Sequence, residues 1–87
     1  MTNYELLGRL SVLLGAAAHL PDTASVLGYS PKGKHHDDLP TIFVEDLRDL
    51  PDGERTVQAA GEMWMEHSVM CRGVKVFCYV ARKDGDE

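Results

Sequence analysis

The most regular hydrophobic pattern in the chain lies between residues 54 and 72. Seven residues there recur at steps of three and four: Val57, Ala60, Met63, Trp64, His67, Met70 and Cys71. Such spacing places side chains on one face of an α-helix. Asp52 precedes the pattern as a helix N-cap, and Gly73 follows it as a stop. The pattern therefore predicts a long amphipathic helix, with Trp64 buried against the first helix of the chain.

After Gly73 the hydrophobic period changes to two. Val74, Val76, Cys78 and Val80 alternate with Lys75, Phe77, Tyr79 and Ala81. This alternation predicts a β-strand with one aliphatic face. Residues from Met63 to Cys71 can also be read as alternating, so a second interpretation makes 62–81 a β-hairpin that turns at Arg72-Gly73.

The N-terminal segment carries the signature of a helix start. Thr2 and Glu5 form a T-x-x-E capping box, which predicts a helix from about Asn3. Its apolar stripe consists of Leu6, Leu10, Leu13, Ala17 and Leu20. The opposite side holds the small, uncharged residues Gly8, Ser11, Val12 and Gly15. A helix back without charge indicates that another part of the fold, or a second subunit, packs against it.

The middle of the chain supplies shorter elements. Pro21-Asp22 ends the first helix and starts a short helix through Leu27, and a loop follows at 29–40. Thr41 to Val44 is β-branched and aromatic, which predicts a strand. The expected fold is α+β, with two main helices packed on a short β-sheet in the order α-α(short)-β-α-β. One domain spans 1–83, and a frayed acidic tail occupies 84–87.

Small size limits how this chain reaches stability. A chain of 87 residues buries only about 60% of its unfolded surface, so it needs a disulfide, a metal or an oligomer. Cys71 at a helix end and Cys78 in mid-strand are expected to lie beyond the roughly 4.4–6.8 Å that a disulfide spans. Two reduced cysteines, no signal peptide and no membrane span predict a cytoplasmic protein.

Charge narrows the class of partner. The net charge of −5 disfavours nucleic-acid binding, which needs a cationic surface. Acidic residues concentrate in the segment 45–54, at Glu45, Asp46, Asp49, Asp52 and Glu54, opposed only by Arg48. Of these, Glu45, Asp46, Asp49 and Asp52 are the candidate partner-binding residues. We interpret this segment as a solvated face or as a patch for a basic protein surface.

No catalytic, metal or nucleotide motif is present, so the chain is predicted to be non-enzymatic and to hold no cofactor. The nearest approach to a metal site is His35-His36-Asp37-Asp38. Imidazole and carboxylate are legitimate metal ligands, but adjacent residues cannot all face one ion. A polar loop is the simpler interpretation, and a small metal-dependent protein using His35-His36 is kept as a second alternative.

The strand pattern leaves aromatic side chains on the side away from the helices. If the aliphatic residues face inward, then Phe43, Phe77 and Tyr79 share an open sheet face. Monomers rarely leave such a patch bare. Together with the acidic segment, these three aromatic residues are the predicted partner-binding residues.

In its size, acidity and lack of motifs the chain resembles the compact acidic proteins with which phages and mobile elements block host machinery. The resemblance has no residue-level match. We predict a small acidic protein-binding module, in its narrower form an inhibitor of a larger host or defence protein. The alternative is a homo-oligomeric structural or assembly subunit, and we expect a homodimer in either case.

Overall fold

The computed structural model describes residues 2–32 and 39–82. Within them the chain forms helix α1 (Asn3–Ala17) and strands β1 (Val26–Ser30), β2 (Thr41–Val44), β3 (Arg55–Ala59), β4 (Trp64–Cys71) and β5 (Val74–Ala81), with a 3-10 turn at Leu47–Asp49. The five described strands build one mixed sheet in the order β1-β2-β5-β4-β3. Helix α1 packs on one side of this sheet.

Helix α1 begins as the sequence predicts. The Glu5 N–H donates to Thr2 Oγ1 at 3.1 Å, and the Thr2 N–H donates to Glu5 Oε1 at 3.1 Å. The Thr2 hydroxyl also donates to Glu5 Oε1, at 3.1 Å. The two bonds to this carboxyl, from the Thr2 N–H first and the Thr2 hydroxyl second, hold the pKa of Glu5 below its ordinary value. The helix ends at Ala17, one turn before Leu20. The predicted capping box is therefore confirmed.

The sheet register confirms the alternation predicted for two strands. β2 and β5 are parallel neighbours, with Ile42 opposite Val76 and Phe43 opposite Phe77. The Ile42–Val76 row faces α1, and we call this side of the sheet the inner face. The Phe43–Phe77 row lies on the other side, the outer face.

Aliphatic side chains fill the space between α1 and the inner face. The core consists of Leu13, Ala16, Ile42, Val44, Leu50, Val69, Val74, Val76 and Cys78. The segment 45–53, which connects β2 to the far edge of the sheet, completes this layer and contributes Leu50. It approaches the sheet so closely that a Cβ on Gly53 would lie 2.9 Å from Val69 Cγ1. The φ of Gly53 is +147°, so glycine suits both the space and the backbone.

The predicted long helix over residues 54–72 is wrong. Residues 55–59 and 64–71 form strands β3 and β4, so the expected α+β fold with two main helices on a short sheet is wrong as well. The hairpin interpretation is the correct one, because β4 and β5 pair antiparallel around Arg72 and Gly73. Their φ angles of 50° and 83° match the twist of a two-residue hairpin turn.

The spacing of hydrophobic residues gave a wrong prediction because residues three or four apart can also lie on the two sides of a strand. In β4 the buried positions are Glu66, Ser68 and Val69. Two of these three residues are polar, so a pattern of hydrophobic positions does not reveal them. In β3 every residue is exposed, so the strand carries no burial period. Cross-strand pairing with β4 stabilises it instead. Trp64, expected in the core, is 48% exposed.

The predicted short helix from Pro21 to Leu27 is also wrong. Residues 26–30 form the edge strand β1, which pairs antiparallel with β2. The register shifts between Val26 and Gly28. Strand formation wins here because β2 offers an unpaired edge that a single helical turn could not satisfy.

Some expectations concern other parts of the chain or the membrane. The tail at 84–87 and the loop from His35 to Asp38 lie outside the described residues. In the described part of the chain, no helix combines the length and apolarity that a bilayer crossing requires.

Two glycine substitutions test this fold, because they should change the free energy of unfolding in opposite directions. Gly73→Ala should lower the free energy of unfolding by about 1–2 kcal/mol, because φ +83° strains a Cβ-bearing residue. Gly8→Ala should raise it by about 0.5–1 kcal/mol, because no atom lies within 4 Å of the new Cβ and alanine favours the helix. Urea denaturation followed by circular dichroism measures both. Equal effects would contradict the hairpin turn at 72–73.

Candidate functional site

An aromatic cluster occupies the centre of the outer face. The rings of Phe43 and Phe77 stack with centroids 5.1 Å apart and an interplanar angle of 10°. Tyr79 packs edge-on against both, at 5.5 Å from Phe43 and 5.6 Å from Phe77. These distances lie in the favourable range for aromatic pairs. The three aromatic residues predicted to share a face therefore form one contiguous cluster.

The members of this cluster differ in exposure. Phe77 is only 5% exposed, whereas Phe43 and Tyr79 are half-buried. Phe77 thus acts as the floor of the cluster and stabilises it from within. Phe43 and Tyr79 are the members of the cluster that keep accessible surface.

An ion pair explains why Phe77 is covered. Lys75 Nζ lies 2.9 Å from Glu66 Oε2, and Gln58 Nε2 donates to the same oxygen at 3.0 Å. Ser68 is opposite Phe77 on the neighbouring strand, so the Lys75–Glu66 pair spans their row. Lys75 Nζ is also 5.8 Å from the Phe77 ring centroid, within cation–π range. The cation is thereby held between a carboxylate and an aromatic ring.

Beyond Phe43 and Tyr79 the outer face opens into a cavity of about 520 Å³. We call it the aromatic cleft, and its lining residues are Leu27, Phe43, Glu45, Ala60, Trp64 and Tyr79. Residues from all five described strands or their ends meet there. The volume is within the range of ligand-binding clefts.

Backbone hydrogen bonds hold the two ends of the aromatic cleft. The Glu45 N–H donates to the Ser25 carbonyl at 3.0 Å, and the Ala60 N–H donates to the Trp64 carbonyl at 3.0 Å. Leu27 reaches the cleft because the register shift in β1 inserts it between Val26 and Gly28. The lining side chains are therefore carried by hydrogen-bonded backbone.

The acidic segment does not act as one patch. Glu45, Asp46 and Asp52 are exposed, but Asp49 is only 4% exposed. Asp49 Oδ2 accepts from the Asp46 N–H at 3.2 Å, which closes the 3-10 turn. Of these four predicted partner residues, only Glu45 lines the aromatic cleft.

Sequence reasoning missed two important residues of the cleft, Leu27 and Trp64. Trp64 lies opposite Ala81 in the β4–β5 hairpin, and Ala81 has the same strand parity as Tyr79. The hairpin interpretation contained this signal, since parity alone would have placed Trp64 on the outer face. The register shift that exposes Leu27 has no comparable signal in the sequence.

A cysteine–histidine pair on the inner face has the composition but not the environment of a catalytic dyad. His67 lies opposite Cys78 in the hairpin, and the structure leaves His67 Nδ1 buried without a hydrogen-bond partner in the described residues. Cys78 is fully buried. Burial raises the pKa of the Cys78 thiol and so favours the neutral form.

Residues 2–32 and 39–82 contain no candidate metal site. No group of three or more His, Cys, Asp or Glu side chains there could hold an ion. The predicted alternative at His35-His36 falls outside these ranges, so it stays a prediction.

A second concave surface lies between α1 and the edge strand β1. This helix-side groove has a volume of about 290 Å³ and is lined by Leu10, Leu13, Leu14, Ala17, Val26, Tyr29 and Ile42. Leu14 and Tyr29 are 72% and 67% exposed. The groove exists because α1 lies over β5 and leaves the β1 side of the inner face uncovered.

Comparison of the chain with protein-family models, curated proteins and solved structures finds no match. The interpretation as a phage or mobile-element inhibitor therefore has no relative to support it. The fold expected with it, two main helices on a short sheet, is contradicted by the single α-helix and the five-stranded sheet of the described residues.

The buried Phe77 and the exposed Trp64 of the outer face should respond differently to truncation of their side chains. Phe77→Ala should lower the free energy of unfolding by about 3–5 kcal/mol, because it empties the floor of the aromatic cluster. Trp64→Ala should cost roughly 1 kcal/mol, since its ring is half exposed. Thermal denaturation measures both variants. A loss for Trp64→Ala as large as that for Phe77→Ala would contradict the placement of Trp64 at the surface.

Proposed function

We propose that this chain is a small, non-enzymatic protein-binding module that contacts its partner through the aromatic cleft. The observation that carries the proposal is the exposed Trp64 side chain beside Leu27, Phe43 and Tyr79. Tryptophan and tyrosine in such settings supply most of the binding energy at many protein interfaces. A contiguous apolar surface of this kind is uncommon on a protein that binds nothing.

The construction of the outer face favours binding with little loss of conformational freedom. Phe43 and Tyr79 are already packed on Phe77, so neither ring must be ordered when a partner arrives. Pre-ordered side chains lower the entropic cost of association. The aromatic cleft, of which these two rings are part, therefore suits recognition of a partner segment that lies across the ends of the strands.

The lining chemistry also favours binding over catalysis. Among the described residues that line the aromatic cleft, Glu45 is the only one with a carboxylate or a basic group. General acid–base or nucleophilic catalysis normally requires a second group within hydrogen-bond reach. A single carboxylate on an apolar wall is instead the usual composition of a recognition site.

Paired alanine variants test the proposed function. Immobilised wild-type chain is compared with Trp64→Ala and with Met70→Ala for capture of proteins from a lysate of the source organism. Met70 is a matched control, because it is 53% exposed and lies at the opposite end of the outer face. We expect one captured protein to be lost at least tenfold with Trp64→Ala, which corresponds to about 1.4 kcal/mol, and retained with Met70→Ala.

The contradicting result is equally specific. A captured set that is unchanged by Trp64→Ala, in a variant shown by circular dichroism to be folded, removes the aromatic cleft from the function. Loss with both variants would indicate non-specific adhesion to exposed apolar side chains.

A second candidate function, a homo-oligomeric subunit, is favoured by the helix-side groove. Among the described strands, β1 pairs only with β2 and so forms one edge of the sheet. Edge strands are templates for pairing with another chain. A second copy could add its own β1 antiparallel about a two-fold axis and place Leu14 and Tyr29 of each copy in the shared groove.

This association replaces the one expected from the back of α1. A Cβ on Gly8 would have no atom within 4 Å, whereas a Cβ on Gly15 would lie 4.0 Å from Arg72 Nε. The small-residue side of α1 is thus partly used by the hairpin turn of the same chain. The apolar excess lies on the Leu14 side instead.

Leu14→Asp tests the second candidate. If the groove forms a dimer, the charge should raise its dissociation constant at least tenfold, because a carboxylate would be buried without a partner. Sedimentation equilibrium of the wild type, Leu14→Asp and Met70→Asp measures this, the last being an exposed apolar control away from the groove. A wild-type chain that sediments as a 9.6 kDa monomer at all concentrations excludes this candidate.

A further inference from the structure

The composition of the aromatic cleft specifies the charge of its ligand. We infer that the aromatic cleft binds a cationic side chain of a partner protein, with the ammonium or guanidinium group held between the aromatic rings and the Glu45 carboxylate. This inference rests on the proposed function and adds the chemistry of the partner to it.

The outer face already contains one site of this kind, filled by the chain itself. Lys75 Nζ lies 5.8 Å from the Phe77 centroid and 2.9 Å from Glu66 Oε2. An aromatic ring and a carboxylate together hold this cation at the surface of the cluster. The arrangement shows that the outer face places the negative face of the Phe77 ring where a cation can reach it.

The aromatic cleft repeats this composition, and none of the described residues that line it is a cation. Phe43, Trp64 and Tyr79 provide rings, and Glu45 provides the carboxylate. Glu45 is exposed, and within residues 2–32 and 39–82 it forms no ion pair. The neighbouring Asp46 is different, because Arg48 Nε lies 3.5 Å from Asp46 Oδ2. Glu45 is therefore the charge at the cleft that a partner can neutralise.

Size and long-range charge favour the same ligand. A cavity of about 520 Å³ admits a long, unbranched side chain together with part of its backbone. The net charge of −5 attracts a basic segment and repels an acidic one before contact. Tryptophan is the aromatic residue that binds cations best, and arginine can stack on its ring while also pairing with a carboxylate.

Two pairs of short peptides test the inference directly. Each peptide is acetyl-Ser-Gly-Xaa-Gly-Ser-amide. In one pair Xaa is arginine or its neutral isostere citrulline, and in the other it is lysine or its neutral isostere 2-aminoheptanoic acid, in which a methyl group replaces the ammonium group. Trp64 is the only tryptophan of the chain, so its fluorescence reports occupancy of the aromatic cleft. We expect each cationic peptide to bind roughly tenfold tighter than its neutral isostere, the upper range of a cation–π contact.

A matched pair of carboxylate variants separates the cleft from general charge attraction. Glu45→Gln and Glu54→Gln each remove one negative charge, but Glu54 precedes β3 at the end of that strand remote from Ala60. We expect Glu45→Gln to weaken the arginine peptide about tenfold and Glu54→Gln to leave it within about twofold. Equal losses, or equal binding of arginine and citrulline peptides, would overturn the inference, as would the absence of a saturable fluorescence change.

The peptide result and the capture result distinguish two failures. If cationic and neutral peptides bind alike while capture still depends on Trp64, the protein-binding function stands and the inferred ligand charge is wrong. If the cationic preference and its dependence on Glu45 are found while capture ignores Trp64, the cleft binds cations but the captured proteins use another surface. In that outcome the proposed function fails.

Discussion

Pairing of β5 with both β2 and β4 is the constraint on which the rest of the structure depends. β5 is the central strand, parallel to β2 and antiparallel to β4. Its inward side chains Val74, Val76 and Cys78 are fully buried beneath α1 and the segment 45–53. Its outward side chains include Phe77 and Tyr79, which belong to the aromatic cluster. One strand thus supplies both the core and the floor of the candidate site, so neither can shift without the other.

The positions of the residues that line the aromatic cleft depend on this central pairing. Its walls come from residues far apart in sequence, Leu27, Phe43 and Trp64 among them, and only strand register brings them together. Side chains on a hydrogen-bonded sheet are held more firmly than side chains on loops. The outer face can therefore present a shaped aromatic surface even though the chain is short and its core is small.

Charge is the basis of the ligand preference that we propose for this surface. The outer face holds two carboxylates close to aromatic rings, Glu66 and Glu45, and they have different surroundings. Glu66 is buried, Lys75 neutralises its charge, and Gln58 donates a hydrogen bond to it, because a buried charge must be paired. Glu45 is exposed at the rim of the cleft, where solvent reaches it. The first carboxylate stabilises the fold, and the second is the one that we propose meets a cation.

The sequence by itself determined the features that depend on neighbours in the chain. The capping box of Thr2 and Glu5 acts over one helical turn, and the alternation in β2 and β5 reports which side chains share a face. Tertiary structure decided the rest. Between residues 55 and 71 the chain carries both a helical spacing and the alternation of Met63 to Cys71. The choice followed from the hydrogen-bonding edge that β5 offers to β4. Because residues 64–71 form a strand, Trp64 lies at the surface and not in the core. β1 and β3 are edge strands with little burial of their own, and a strand of that kind exists only because a partner strand satisfies its backbone.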